Sequence, residues 1–384
     1  MDYFKKLYKN FDFWLLVPIV LIVGFSLIIL LNATASPFDG DEQSMADYME
    51  KMNFNTIEMQ ALWFGIRLLA FFAITIVDYD VITEYSKYAW WALVAFLVAL
   101  SVFGHTINGT TAWFKMFDRS VQPSEFCKVV LILVLARMIA KKMEDHGGLV
   151  RFRDLWGLFF FFGIPFVLVI LQPDLGTALV FFVILLAMMF IGKISWKNIG
   201  ILLTAIIAFL PVAWLLMADY QKDRLLNFNV TPTGGEWTQV GQSIDIISSG
   251  GSTGKGLFAP GAFAQLDYLP EKTNDFIFAV TAETVGFWGG LILILLYLAL
   301  LARIMYIAIK SPHVEGQLIA VGVFAMFLFH IVENIGMTMG IMPVTGIPLP
   351  LFSAGGSNML VCMIALGLVE NVAMRRQRNL IKES

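Results

Sequence analysis

Ten apolar runs dominate this chain, at roughly 13–31, 58–77, 88–104, 124–140, 155–171, 175–192, 198–218, 276–309, 316–341 and 356–373. A helix crosses the hydrocarbon of a bilayer in ~20 residues, and its backbone polar groups must be satisfied within the segment. Runs of this length therefore predict membrane-spanning helices. Barrel strands alternate in polarity, and these runs do not. Composition enters here as an exclusion: 58% of the residues are hydrophobic and 14% charged, whereas a soluble domain carries about 25% charge. A soluble fold, a disordered chain and a collagen are excluded. A net charge of −3 offers no bulk attraction to nucleic acid. Cys127 and Cys362 lie inside apolar runs and read as small buried hydrophobes, not as a disulfide. The expected fold class is an all-α polytopic membrane protein, one unit over residues 1–384.

Lys and Arg placement orients the runs. With the N-terminus inside, 17 of the 26 Lys and Arg fall on the inner side and 7 on the outer, the bias that membrane insertion favours. This predicts ten spans with both termini in the cytoplasm. The first run follows Lys5, Lys6 and Lys9 and precedes Ala33-Thr34-Ala35. At about 19 residues it exceeds the apolar core of a cleaved leader, about 7–15 residues, and reads as an uncleaved anchor. One long segment, 219–275, joins the seventh and eighth runs and falls outside. No internal repeat is visible.

Every elaborate polar cluster falls on that outer face: Asn108-Gly109-Thr110-Thr111-Ala112-Trp113, Gln122-Pro123-Ser124-Glu125, Gln172-Pro173-Asp174, the end of the long loop, and 343–357. The inner connections are plain and basic. Glu125 and Lys128, at i and i+3, share a helix face and form either an orienting ion pair or part of a site. Asp174 precedes a helix start and is a cap or a site residue. Arg67 reads as a partner in a buried ion pair, and His330 as a satisfied core residue. Gly250-Gly251-Ser252-Thr253-Gly254-Lys255-Gly256 lacks the spacing of a nucleotide phosphate loop. It is either a flexible turn or a set of N–H groups and one Lys able to hold a diphosphate. Glu271, Asp275 and Glu283 crowd one helix entrance, more carboxylates than capping requires, and Glu283 lies at membrane depth. The four His show no metal-ligand spacing.

Taken together, these residues resemble the SEDS family (shape, elongation, division and sporulation) over nearly the whole chain. The motifs are Gln122-Pro123-Ser124-Glu125 with Lys128, Gln172-Pro173-Asp174-Leu175-Gly176-Thr177, Gly250-Gly251 with Gly254-Lys255-Gly256, Leu269-Pro270-Glu271 leading to Asp275-Phe276, and Asn334-Ile335-Gly336-Met337. Met342-Pro343-Val344-Thr345-Gly346-Ile347-Pro348 resembles the RodA branch more than the FtsW branch. The resemblance implies a peptidoglycan glycosyltransferase of the bacterial cytoplasmic membrane. Its expected substrates are lipid II and the growing glycan strand, used at the extracytoplasmic face during elongation. The implied catalytic base is Asp275, with Glu125, Lys128, Asp174, Arg224, Lys255, Glu271 and Glu283 as substrate-binding candidates. A class B penicillin-binding protein and the elongation machinery are the implied partners, within membrane lipid. A divalent cation, Mg or Mn, is a candidate cofactor for the leaving diphosphate. The rival readings are a lipid II flippase and a scaffold for cell-wall enzymes.

Overall fold

The computed structural model describes residues 9–376, apart from 39, 43, 104, 108–109, 117–118, 150, 267 and nearly all of 202–238. The elements run α1 (Phe13–Thr34), α2 (Met45–Lys51), α3 (Phe54–Ile76), α4 (Tyr79–Phe103), β1 (His105–Ile107), β2 (Thr110–Met116), β3 (Arg119–Val121), α5 (Pro123–His146), α6 (Phe152–Leu171), α7 (Leu175–Ile191), α8 (Gln239–Gly250), α9 (Ile277–Lys310), α10 (Val314–Thr338) and α11 (Ser357–Met374). Nine of the ten apolar runs coincide with helices. The run at 198–218 lies largely outside the described residues.

Six described helices are long and apolar enough to cross a membrane: α1, the Glu58–Ile76 part of α3, α6, α9, α10 and α11. The apolar α7 is shorter, at 17 residues, while α4 opens and α5 closes in charged turns. Local chemistry sets the ends. Pro123 opens α5, where its missing N–H costs nothing, and Gly147 closes it in a left-handed conformation at φ 75°. Asp174 caps α7 by accepting from the Thr177 N–H at 3.0 Å.

α10 and α11 are the most enclosed spans. α10 packs on α5, α7 and α9, and α11 on α3. In lipid, helices associate through close packing rather than through loss of water contact, and small residues permit it. At Gly367 of α11 a Cβ would lie 2.7 Å from the Phe71 carbonyl oxygen, so the α3–α11 approach demands glycine there.

Two features differ from the sequence expectation. Residues 105–121 are not a plain loop: β1, β2 and β3 form a small antiparallel sheet, with Phe114 opposite Val121 and Met116 opposite Arg119. A register of paired short strands has no apolar periodicity to announce it. The segment 219–275 is likewise not loop throughout. Its described residues carry α8 and a 3₁₀ turn at Phe263–Gln265, and α8 packs along α9. The helix α9 is itself broken. Gly286 has φ 67° and ψ −166°, a conformation essentially confined to glycine. The break divides a buried first half from a longer second half.

Candidate functional site

Asp275 stands at the entrance to the first half of α9, half-buried, in a turn that several chain segments hold. Glu271 adopts φ 55°, which lets its carbonyl oxygen accept from the N–H groups of Asn274 (3.0 Å) and Phe276 (3.3 Å). Its carboxylate accepts from Asn274 Nδ2 at 2.7 Å. The segment 343–354 closes over this turn. Ser353 Oγ donates to the Asn274 carbonyl oxygen at 2.6 Å, and the Ala354 N–H donates to that of Thr273 at 2.9 Å. From α10, the Asn334 amide donates to the carbonyl oxygens of Asp275 and Ile347, both at 2.8 Å. Gly346 (φ 71°) lies against the carboxylate, for a Cβ there would sit 3.5 Å from Asp275 Oδ2. An open hollow of about 370 Å³ lies beside this turn, lined by Leu269, Pro270, Glu271, Lys272 and Thr273.

Glu283 and Lys255 form a second unit at the helix break. Glu283 is fully buried. Its Oε1 accepts from Lys255 Nζ (2.6 Å), the Phe263 N–H (2.8 Å) and Ser249 Oγ (3.3 Å), and its Oε2 from the Ala264 N–H (2.7 Å). These donors satisfy the buried carboxylate within the protein. The Lys255 ammonium also lies 4.5 Å from the Phe263 ring centroid. Breaking a helix frees backbone groups on both sides, and these must be satisfied elsewhere. The glycine-rich turn does this. The N–H groups of Lys255 and Gly256 donate to the carbonyl oxygens of Glu283 (2.8 Å) and Thr284 (3.0 Å), while Gly251 and Ser252 carbonyls accept from Phe287 (3.0 Å) and Trp288 (3.3 Å). A Cβ on Gly250 would lie 2.0 Å from the Ala282 carbonyl oxygen, and one on Gly254 2.3 Å from that of Thr284. These N–H groups are therefore engaged by the broken helix and not open to a diphosphate. The turn is a brace that fills the break.

A third unit joins the tops of α5, α7 and α11. Lys128 Nζ donates to Glu125 Oε1 at 2.6 Å and lies 3.0 Å from His330 Nε2. An ammonium has only donors, so the His330 ring accepts there as a neutral imidazole carrying its proton on Nδ1. Asn358 Nδ2 donates to Glu125 Oε2 at 3.0 Å. Gln122 Nε2 (2.7 Å) and Ser124 Oγ (3.3 Å) both donate to Asp174 Oδ2, so Asp174 caps α7 and ties it to α5. Burial raises the Asp174 carboxyl above its ordinary value, against the Thr177 N–H that lowers it. The start of α7 reaches the first unit through one segment: a Cβ on Gly176 would lie 2.9 Å from the Thr345 carbonyl oxygen. Residues 345–347 thus stand between α7 and Asp275.

The structure therefore brings Asp275 and Glu271 together, pairs Glu283 with Lys255, and groups Glu125, Lys128 and Asp174. Arg224 lies outside the described residues. Arg67 donates to the Gly355 carbonyl oxygen at 2.8 Å and meets Met359 Sδ at 2.8 Å, neutral partners in addition to any charge it meets. Among the described residues, no three His, Cys, Asp or Glu side chains converge to hold a metal ion. Sequence reasoning singled out no role for Asn334, Ser353 or Gly346. The signal for Asn334 was present as an amide inside an apolar run, where an unpartnered polar group is costly.

The fold and site define a polytopic helical membrane protein with a carboxylate at a buried half-helix beside an open hollow. The chain belongs to the FtsW/RodA/SpoVE family of cell cycle proteins, whose family model matches residues 13–378. It is 35% identical over 297 residues to the peptidoglycan glycosyltransferase MrdB of Escherichia coli K12, covering 76% of this chain and 79% of that one. Its fold is similar to a chain from a peptidoglycan synthase complex described as coordinating polymerization and crosslinking. That match has a TM-score of 0.76 at 28% identity, over 95% of this chain and 98% of that one. The crystal structure of the rod shape determining protein RodA of Thermus thermophilus matches with a TM-score of 0.67 at 27% identity, over 95% and 97% of the two chains.

Proposed function

We propose that this protein is a peptidoglycan glycosyltransferase that polymerises lipid II at the extracytoplasmic face of the cytoplasmic membrane, with Asp275 as the general base. The observation that carries this reading is the placement of Asp275. The side chains of Asn334 and Ser353 donate to main-chain carbonyl oxygens of its turn, and the hollow lined by residues 269–273 of that turn is open. The relatives' names support the reaction class. We read the chain as one integral membrane unit of ten spans, with both termini cytoplasmic.

The chemistry follows from the substrate. Lipid II carries an α-linked sugar on a lipid diphosphate, and the product bond is β-1,4, so the anomeric centre inverts. A single displacement requires one base to take the proton from the acceptor 4-hydroxyl, and no enzyme nucleophile. Asp275 Oδ takes that proton as the hydroxyl oxygen attacks and the anomeric C–O bond to the diphosphate breaks. The diphosphate leaves as an anion and needs positive charge rather than a proton. Lys128 and Lys255 are engaged with Glu125 and Glu283, so we assign them to the framework rather than to the phosphates. Lys272 lines the hollow and is the cation we place nearest the leaving group, with Glu271 shaping the same wall. The third unit, Glu125, Lys128 and Asp174, sets the wall behind residues 345–347. The similarity to a chain from a synthase complex supports a class B penicillin-binding protein as the partner, within the elongation machinery.

The test is polymerisation of labelled lipid II by the full chain with that partner, moenomycin being present to silence unrelated polymerases. Wild type should give glycan ladders, and Asp275→Asn should give none. Ladders from Asp275→Asn at the wild-type rate would falsify the base assignment. Movement of lipid II across liposomes without product would favour a flippase.

A further inference from the structure

Asn334 lies in the last two turns of α10 and is fully buried. Its single amide nitrogen donates one proton to the Asp275 carbonyl oxygen and the other to that of Ile347, both at 2.8 Å. The reverse orientation of the amide would set an oxygen against two carbonyl oxygens, so the donor count fixes which way it points. Its Oδ1 is buried without a hydrogen-bond partner. An orphaned buried acceptor is costly. A group kept at such a cost is expected to do something that a smaller apolar residue would not.

What the amide joins is specific. One carbonyl belongs to Asp275 itself. The other belongs to the residue after Gly346, whose backbone lies against the Asp275 carboxylate. The same segment meets α7 at Gly176. Asn334 is thus the crossbar between the base and the loop that faces it. Removing it takes away both of these bonds, which tie Asp275 and residue 347 to one side chain of α10.

We propose that Asn334 is a positioning residue for the glycosyl transfer. It sets the gap between the Asp275 carboxylate and residues 345–347, and so the distance at which the acceptor hydroxyl meets its base. The proposal rests on the reading of Asp275 as that base. Misplacing a catalytic group by ~1 Å can cost on the order of 100-fold in rate.

The experiment is a double-mutant cycle on the full chain with its partner, followed by lipid II polymerisation. It uses Asn334→Ala and Asn334→Ser, each in the wild-type and Asp275→Glu backgrounds, with Asp275→Asn as the reference. A residue acting through the base loses its effect when the base is already displaced. We expect Asn334→Ala to lower kcat about tenfold or more in the wild-type background and less than about twofold in Asp275→Glu, with KM for lipid II little changed. Asn334→Ser, with one hydroxyl donor, should fall between; if the Ala variant does not fold, the Ser variant decides. The same fold-loss in both backgrounds, or wild-type turnover in Asn334→Ala, overturns the proposal. Wild-type turnover in Asp275→Asn instead removes the general-base reading, a separate failure with its own signature.

Discussion

The two halves of α9 come from one uninterrupted apolar run and do different work. Residues 277–284, ahead of the break, are all buried, and they include Thr281, Glu283 and Thr284. Beyond Gly286 the helix turns apolar side chains outward: Phe287 is 62% exposed, Trp288 59%, and Ile292 and Leu295 each 55%. The first half is a protein-enclosed post with Asp275 at its tip. The second half is a span that presents its outer side to lipid. The contrast teaches that hydrophobicity places a segment in the membrane but does not say what surrounds it there. The break separates the two roles, so the post can be fixed by its brace while the span packs on α10.

That contrast can be broken in order of expected effect. Asp275→Asn, at the tip of the post, should lower polymerisation about 1,000-fold, the scale of a lost general base; loss under tenfold would mean the post does not carry the chemistry. Glu283→Ala leaves Lys255 and two backbone N–H groups without this acceptor. It should cost about 3 kcal/mol of stability, read as a lower unfolding midpoint in detergent. An unchanged midpoint would sink the brace. Gly286→Ala forces an alanine into a glycine-only conformation with its Cβ 2.3 Å from the Gly254 nitrogen, and should cost about 2–3 kcal/mol. Gly290→Ala, four residues on, would meet nothing closer than Phe278 Cζ at 3.6 Å and should stay within about 0.5 kcal/mol. Equal costs at Gly286 and Gly290 would erase the distinction between the halves. Leu295→Ala, on the lipid-facing side, should be the smallest change, also within about 0.5 kcal/mol.

Much of this was legible beforehand, for identifiable reasons. Glu125 and Lys128 pair because helical spacing stacks i and i+3 on one face, and that spacing is visible in the letters. Asp174 caps because an Asp before an apolar run has N–H groups within reach of its own side chain. Both are contacts within one element. Lys255 and Glu283 stand 28 residues apart, and nothing in either segment names the other. The letters of the glycine-rich turn suit either a flexible turn or one that holds a diphosphate, because glycine is permissive, yet here glycine is required by close approach to another backbone. Asn334 and Asp275, 59 residues apart, meet only because α10 packs on α9. The sheet at 105–121 was missed because its short strands draw on pairing rather than on pattern.

By itself, then, the sequence determined that the chain is helical and lies in a bilayer, where its apolar runs fall, which family motifs it carries, and which local pairs form. Those follow from the bilayer's thickness and the helix's repeat, and both act on neighbouring residues. Only the tertiary structure decided that α9 breaks at Gly286, that Gly250–Gly256 fills the break, and that one buried amide joins Asp275 to the loop facing it. These depend on backbone groups from distant segments finding each other where no water can take their place.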